Sequence, residues 1–385
     1  MQILLSAGEA SGDNYGAQLI DEMKKLAPEA KFFGMGGEMM GASGCQLLVH
    51  ANDVAVVGLV EVLKHLPEIR KHFRRMVAEA AWRKPDAAVL IDFPDFNLRL
   101  ARELHRLGVP VFYFISPQLW AWRTGRVEQI RKYVRKMIVI FPFEQEFYKQ
   151  HGVDVVYVGH PLAYAEPPQV SRDEFARAYN LDPAKTWIAL LPGSRQKEVG
   201  LNLPAMLEAA AMLARRGGRF EFVLPVASTL TQSWVEQGLA AAKVRVTLTK
   251  DARLTLAVSR AAVVASGTAT VEAALAGTPF VVVYRLAPMT WILGRPLVKL
   301  DTFAMPNLIA GRKIVPELIQ NGFTAEAVVR ELSAILPDSP ARQQMLAGLD
   351  EVRNKLRDGT HLQAPAARAA QEILQILGQI SAGRA

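Results

Sequence analysis

The chain has 385 residues, 50% apolar and 21% charged, a length for roughly two to three domains and a composition that excludes disordered and fibrous classes. Cys45 is its only cysteine, so no disulfide forms within the chain, and a core of this size needs no such staple. The net charge of +8 is uneven: between Lys64 and Lys136 stand 16 Lys and Arg against 7 Asp and Glu, a surface that draws phosphates, anionic lipid or nucleic acid.

The opening run Met1-Gln2-Ile3-Leu4-Leu5-Ser6 is far too short for a secretory leader, and Glu9 follows at once. The longest uncharged stretch, Leu107 to Trp122, is interrupted by Pro110 and Pro117, so nothing reaches the ~18 apolar residues of a spanning helix. A cytosolic protein is expected, one that at most lies on a membrane.

Taken in chain order, the first half alternates strand and helix. Strands are predicted at Gln2–Ser6, Ala87–Ile91, Val109–Ile115, Lys136–Ile140 and Val153–Val158. Helices are predicted at Gly12–Leu26, Asn97–Leu107 and the basic Val127–Val134. Between the first two strands, Leu59, Val62, Leu63, Leu66, Ile69, Phe73, Met76, Val77 and Ala80 follow a 3.6-residue period, with Lys64, Arg70, Lys71, Arg74 and Arg75 on the other face. Such a stripe is ordinarily core in its later turns. Its uncharged start, with Val56, Val57, Leu59 and Val60, reads as an apolar lip beside a basic face, which is how an enzyme rests on anionic lipid.

After Gly159-His160-Pro161 and a linker at Ala165-Glu166-Pro167-Pro168, the pattern restarts. Strands are predicted at Trp187–Leu191, Arg219–Leu224, Val244–Leu248, Ala261–Ala265 and Pro279–Tyr284, and helices at Glu198–Arg215 and Thr268–Ala276. Past Thr324 only helix is expected, through Gln363–Ile380. The fold class is therefore α/β: two doubly wound parallel-sheet domains, 1–164 and 165–340, facing across a cleft, with a helical tail, 341–385. The tail is open to two placements, crossing back to the first domain or pairing with a second copy in a homodimer.

Ligands of such sheets sit at the carboxyl ends of the strands, so the strand-exit loops carry the candidates. The first, Ala7-Gly8-Glu9-Ala10-Ser11-Gly12-Asp13, has two glycines for close approach and Ser11 placed to cap a helix, but its acids would repel a nucleotide phosphate. Gly34-Met35-Gly36-Gly37 lacks the third glycine of a dinucleotide fingerprint, since Met39 stands there, and there is no Walker A sequence. In the exit Ile91-Asp92-Phe93-Pro94-Asp95-Phe96-Asn97, Asp92 is flanked by apolar residues, and desolvation would raise its pKa toward that of a general base. Asp95 and Asn97 are placed to cap the following helix. Ser116-Pro117-Gln118-Leu119-Trp120-Ala121-Trp122-Arg123 is either a packed loop or a wall for lipid or sugar.

In the second half, Leu191-Pro192-Gly193-Ser194-Arg195 and Ser266-Gly267-Thr268 are small-residue strand-to-helix turns suited to phosphate. Glu272, one helical turn past Thr268, would accept ribose hydroxyls, and Asn307 in Met305-Pro306-Asn307-Leu308 would add an amide. The seven histidines form no metal motif, and Asp92 and Asp95 are not in Asp-x-Asp spacing, so no metal or other cofactor is expected.

Together these blocks resemble the lipid-A-disaccharide synthases, glycosyltransferases with two Rossmann-like domains in the GT-B arrangement. The resemblance spans nearly the whole chain. It rests on Gly8-Glu9-Ala10-Ser11-Gly12-Asp13, Val57-Gly58-Leu59-Val60-Glu61-Val62, Asp92 to Asn97, Ser116 to Arg123, Leu190 to Arg195, Ser266 to Thr268 with Glu272, and Pro306-Asn307-Leu308 with Gly311. After Gly159-His160-Pro161-Leu162 this chain has Tyr164 where that family usually has an acid, so that position is assigned no role.

The resemblance implies an inverting transfer from UDP-2,3-diacylglucosamine to the 6-hydroxyl of 2,3-diacylglucosamine 1-phosphate, giving a β-1,6 disaccharide 1-phosphate and UDP. It implies Asp92 as base with Glu9 and Arg195 as further catalytic residues. The UDP side would be formed by Gly193, Ser194, Arg195, Ser266, Gly267, Thr268, Glu272 and Asn307, and the acceptor side by Ser11, Asp13, Asn97, Trp122 and Arg123. Partners would be the two acylated sugars and the inner-membrane surface, met from the cytoplasm, with no nucleic acid. A UDP-N-acetylglucosamine 2-epimerase or another GT-B transferase with a soluble acceptor fits the donor loops but leaves the apolar lip unexplained, and a non-catalytic membrane- or nucleic-acid-binding protein has no need of Asp92 at a strand exit.

Overall fold

A computed structural model describes residues 1–54, 59–122, 124–287, 291, 302–357 and 363–382. The chain divides into two compact units, Met1–Tyr164 with Leu356–Ala385, and Ala165–Lys355.

The first unit is built on seven parallel strands: β1 (Gln2–Ala7), β2 (Lys31–Gly36), β3 (Cys45–His50), β4 (Ala87–Ile91), β5 (Val111–Phe114), β6 (Lys136–Val139) and β7 (Val155–Tyr157). Its crossovers carry α1 (Ala10–Leu26), α2 (Glu38–Ala42), α3 (Leu59–Arg83), α4 (Pro94–Arg106), α5 (Leu119–Trp122), α6 (Val127–Tyr133) and α7 (Pro142–Gln150), with α8 (Pro161–Tyr164) after the last strand. Strand order is β3-β2-β1-β4-β5-β6-β7. The central strands are apolar on both faces because helices cover both. Leu4, Leu90 and Tyr113 pack into one core, and their neighbours Ile3, Leu5, Val89, Ile91 and Phe112 into the other.

Sequence periodicity did not announce β2 and β3. Glycine is the reason at β2: Gly34 has φ +147°, and a Cβ there would lie 1.9 Å from the Leu5 carbonyl oxygen of β1. The close approach requires glycine, and glycine carries no apolar signal. The later turns of α3 are core, with Met76 and Ala80 buried and Ile69, Phe73 and Val77 packed against them.

The second unit contains α9 (Arg172–Tyr179) and six parallel strands: β8 (Thr186–Leu191), β9 (Phe220–Pro225), β10 (Val246–Thr249), β11 (Ala261–Ala265), β12 (Phe280–Tyr284) and β13 (Glu317–Ile319). Between and after them lie α10 (Gln196–Arg215), α11 (Gln232–Leu239), α12 (Ala252–Val258), α13 (Thr268–Ala276), α14 (Met305–Ala310), α15 (Ala325–Ile335) and α16 (Pro340–Leu356). The order is β10-β9-β8-β11-β12-β13.

The expected tail is not one piece. Met345, Leu349 and Val352 of α16 are buried within the second unit. The last helix, α17 (Pro365–Ala382), returns to the first unit, where Ala369, Ala370, Ile373 and Leu377 join the core cluster of Ile20 and Met23 from α1.

Each sheet reverses its strand order at one point, between β1 and β4 and between β8 and β11. The crevice at such a switch point is where doubly wound sheets bind ligands. Ala7 pairs in register with Ile91, and Leu191 with Val264, so the exits of both pairs end side by side.

Candidate active site

At the first switch point the topology brings together Gly8-Glu9 from β1 and Asp92-Phe93 from β4. The Asp92 carboxyl is pushed up to about 6, first by burial and then by the negative charge of Glu9, against a lowering hydrogen bond from the Phe93 amide. The Asp92 carbonyl accepts from Tyr113 Oη at 2.6 Å and Asn97 Nδ2 at 2.8 Å, and its amide donates to Phe114 O at 3.2 Å. These bonds hold an unusual backbone. Asp92 and Phe93 have φ of +43° and +50°, and Ile115, at the adjacent exit of β5, has +65°. Three non-glycine residues in the left-handed region, at about 1–3 kcal/mol each, persist only where the surroundings over-determine them, and such strain gathers at functional sites. Glu9 is exposed, stands at the N-cap of α1 and forms no side-chain cap bond.

Beside this pair lies a buried polar network. Glu144 is only 1% exposed; Oε1 accepts from Trp120 Nε1 at 3.2 Å and Oε2 from the Phe141 amide at 3.2 Å. Burial pushes its carboxyl up to about 8 against hydrogen bonds from Trp120, Phe141, Ile140 and Ser116. Ser116 Oγ also lies 2.8 Å from Tyr148 Oη. The exit of β5 is thus tied to α7. His160 is 2% exposed, packs on Phe141 and accepts from the Leu162 amide; burial lowers its pKa to about 3, so it is neutral and shapes the turn into α8.

At the second switch point, Gly193 at φ +127° and Gly267 at +143° open the turns into α10 and α13. Arg195 is the exposed N-cap of α10 and makes no ion pair among the described residues. The Ser194 amide donates to Glu198 Oε2 at 3.1 Å, and Ser266 Oγ donates to Phe303 O at 3.0 Å. Gly267 and Thr268 are exposed. Glu272 is half-buried in α13, and burial raises its carboxyl while Arg253 opposes the shift.

Residues 3–371 match the family model described as lipid-A-disaccharide synthetase. The chain is 54% identical over 379 residues to the lipid-A-disaccharide synthase of Koribacter versatilis, covering 98% of each. This chain belongs to the lipid-A-disaccharide synthase family. Among solved structures it is similar to the glycotransferase of kitacinnamycin, at a TM-score of 0.65 and 13% identity over 97% of this chain and 98% of that one. It is also similar to the UDP-GlcNAc 2-epimerase of Neisseria meningitidis bound to UDP-GlcNAc, at 0.62 and 13%, over 98% and 100%. Those two likenesses concern the fold, which is GT-B.

As a member of the lipid-A-disaccharide synthase family, the chain is a glycosyltransferase of lipid A biosynthesis, and several side chains expected to meet substrate are hydrogen-bonded within the chain. Asn97 is fully buried: Nδ2 donates to the Ser6, Ile91 and Asp92 carbonyls, and Oδ1 accepts from Ser6 Oγ at 2.6 Å. It does not cap α4, which starts earlier at Pro94; it holds the backbone of Asp92. Asp13 caps α2, its oxygens accepting from the amides of Gly37, Met39 and Met40. Asn307 is 1% exposed and bonds through its amide to Val315 O, Glu317 Oε1 and the Ile314 and Val315 amides, which ties α14 to β13. In each case a short polar side chain near a strand exit satisfies buried backbone groups.

Ser11 sits exposed inside the first turn of α1, because the helix begins at Ala10. Val56, Val57 and Arg123 lie outside the described residues, as do the side chains of Leu59, Val60 and Trp122. Sequence reading passed over Glu144, although Phe141-Pro142-Phe143-Glu144 leaves strand β6 with proline at the first helical position and an acid at the third, the marks of a helix start.

Proposed function

We propose that this synthase transfers the 2,3-diacylglucosaminyl group of UDP-2,3-diacylglucosamine to the 6-hydroxyl of 2,3-diacylglucosamine 1-phosphate with inversion at the anomeric carbon. The acceptor oxygen forms the new bond to C1, its proton passes to Asp92, and the bond from C1 to the β-phosphate oxygen breaks with its electron pair leaving on UDP. The observation that carries this reading is a carboxyl lifted to about 6, at a switch-point strand exit, on a strained and triply hydrogen-bonded backbone. Such a group is ionised at neutral pH yet basic enough to take a proton in the transition state.

Glu9 keeps Asp92 basic, and Glu9 and Ser11 line the acceptor side. On the donor side, Gly193, Ser194, Ser266, Gly267 and Thr268 hold the pyrophosphate. Arg195 offsets the charge gathering on UDP, and Glu272 accepts from the ribose hydroxyls. No described helix is long and apolar enough to cross a membrane, and the acyl chains are met at the cytoplasmic surface of the inner membrane, on which the protein rests.

The test is UDP release by the purified protein given UDP-2,3-diacylglucosamine, with and without 2,3-diacylglucosamine 1-phosphate, in detergent and EDTA. Acceptor-dependent release that yields a β-1,6 disaccharide 1-phosphate is the expected result, and its survival in EDTA means that no dissociable divalent metal is needed. Release without acceptor, an α linkage, or turnover of UDP-N-acetylglucosamine instead would overturn the reading.

A further inference from the structure

The face shared by α4 and α6 contains a cavity of about 320 Å³ that none of the assigned roles uses. One wall is the α4 face bearing Asp95, Leu98, Arg99 and Arg102; the other comes from the segment after β5, with Arg126 just before α6 and Tyr133 at its end. Three guanidinium groups against one carboxylate leave the cavity with a net charge of +2. Nearby carboxylates pair with two of the three guanidinium groups and leave Arg99 uncompensated. Asp95 is bonded to Arg126 at 2.6 Å, and Glu103 is shared by Arg102 and Arg106 at 3.1 and 2.9 Å. Arg99 is exposed and has no ion pair among the described residues.

We propose that this groove binds the phosphate monoester of an amphiphilic ligand, with Arg99 and Arg102 as its principal contacts and Tyr133 and Leu98 as an apolar wall. A phosphate monoester carries about −1.5 to −2 near neutral pH and can displace a surface carboxylate from a guanidinium group, and guanidinium forks take phosphate oxygens two at a time where lysine offers a point charge. The location favours the 1-phosphate of the acceptor. Helix α4 starts two residues after Asp92, so the groove opens from the same strand exit as the proposed base. The reacting hydroxyl on C6 and the phosphate on C1 are carried by the two ring carbons that flank the ring oxygen, which requires a phosphate site close to the base but separate from it. This assignment rests on the acceptor named above; a phosphorylated lipid headgroup is the other source of the same chemistry.

The experiment uses the full chain and the double variant Arg99→Ala, Arg102→Ala, with the far-ultraviolet spectrum and melting temperature as fold controls. Two exposed helix positions changed to alanine leave the fold intact. In neutral detergent, KM for 2,3-diacylglucosamine 1-phosphate rises about tenfold or more in the variant, while KM for the UDP-sugar and kcat at saturating substrates stay within about twofold. The 1-hydroxyl analogue of the acceptor is used equally by both proteins. Vesicles of phosphatidylcholine with and without phosphatidic acid form the second arm. Unchanged acceptor kinetics with lost preference for phosphatidic acid would assign the groove to a headgroup phosphate. Unchanged acceptor kinetics and unchanged vesicle preference would overturn the proposal. If the wild-type protein shows no acceptor-dependent UDP release, the proposed reaction fails by itself, and the vesicle arm still decides the groove.

Discussion

Gly8 and Phe93 meet where β1 and β4 end: the Phe93 ring occupies the space of a side chain at position 8, with its nearest ring atom 2.3 Å from where a Cβ would stand. Phe93 is itself held in the left-handed region next to Asp92. The glycine is therefore what allows the exit of β4 to fold back over the exit of β1. Gly8→Ala is expected to push the ring away and Asp92 with it. Stability should fall by about 1–3 kcal/mol, read from urea unfolding, and kcat by about a hundredfold, because small misplacements of a base are costly. Normal turnover in Gly8→Ala would show that Asp92 does not depend on this contact.

The pairing of Glu9 with Asp92 predicts a pH dependence. A base works deprotonated, so kcat/KM should climb with pH through about 6 and level off above it. Since the charge of Glu9 raises the Asp92 carboxyl, Glu9→Gln should move that limb to lower pH. Asp92→Asn should abolish the limb and lower turnover by roughly 10³-fold with UDP binding retained, measured by calorimetry alongside the rate profile.

Glu144 makes a stability prediction. Its folded carboxyl is raised from 4.5 to about 8, so between those pH values the unfolded chain ionises first and binds fewer protons than the folded one. The stabilisation from the protonated form is complete below about pH 4.5 and is lost as pH rises toward 8. Glu144→Gln, which stays neutral and keeps an acceptor for Trp120 Nε1, should flatten this decline in denaturation midpoints taken across the range. Glu144→Leu, which strands the Trp120 and Phe141 donors, should destabilise at every pH.

Asn307 separates a structural role from a ligand contact. Asn307→Ala leaves two buried amides and the Val315 carbonyl without partners, a loss of about 2–4 kcal/mol by urea unfolding. The affinity of the folded fraction for UDP should be unchanged. A variant of normal stability with weakened UDP binding would return Asn307 to the donor site.

The family and its two α/β domains were legible in the sequence because their signals are local. Apolar runs such as Ala87–Ile91 and Ala261–Ala265 read as buried parallel strands, and small-residue turns such as Ser266-Gly267-Thr268 read as helix entries. Asp92 was legible too, as a carboxylate delivered by such a strand. Strands β2 and β3 were not, since Gly34 is dictated by a neighbouring strand rather than by its own segment.

What only the tertiary structure decided is which polar residues are free. Asp92, Asn97, Asp13 and Asn307 look alike in sequence, short polar side chains near the ends of elements. Burial left three of them bonded to main-chain groups and only Asp92 with a strained backbone and a raised carboxyl. It also placed Glu9 close enough to Asp92 to shift it, closed α17 onto α1, and sank Glu144 beneath Trp120. A hydrogen-bond donor buried far from its own segment has to be satisfied from wherever the fold brings an acceptor, and that depends on distances between strands that no single stretch of chain contains.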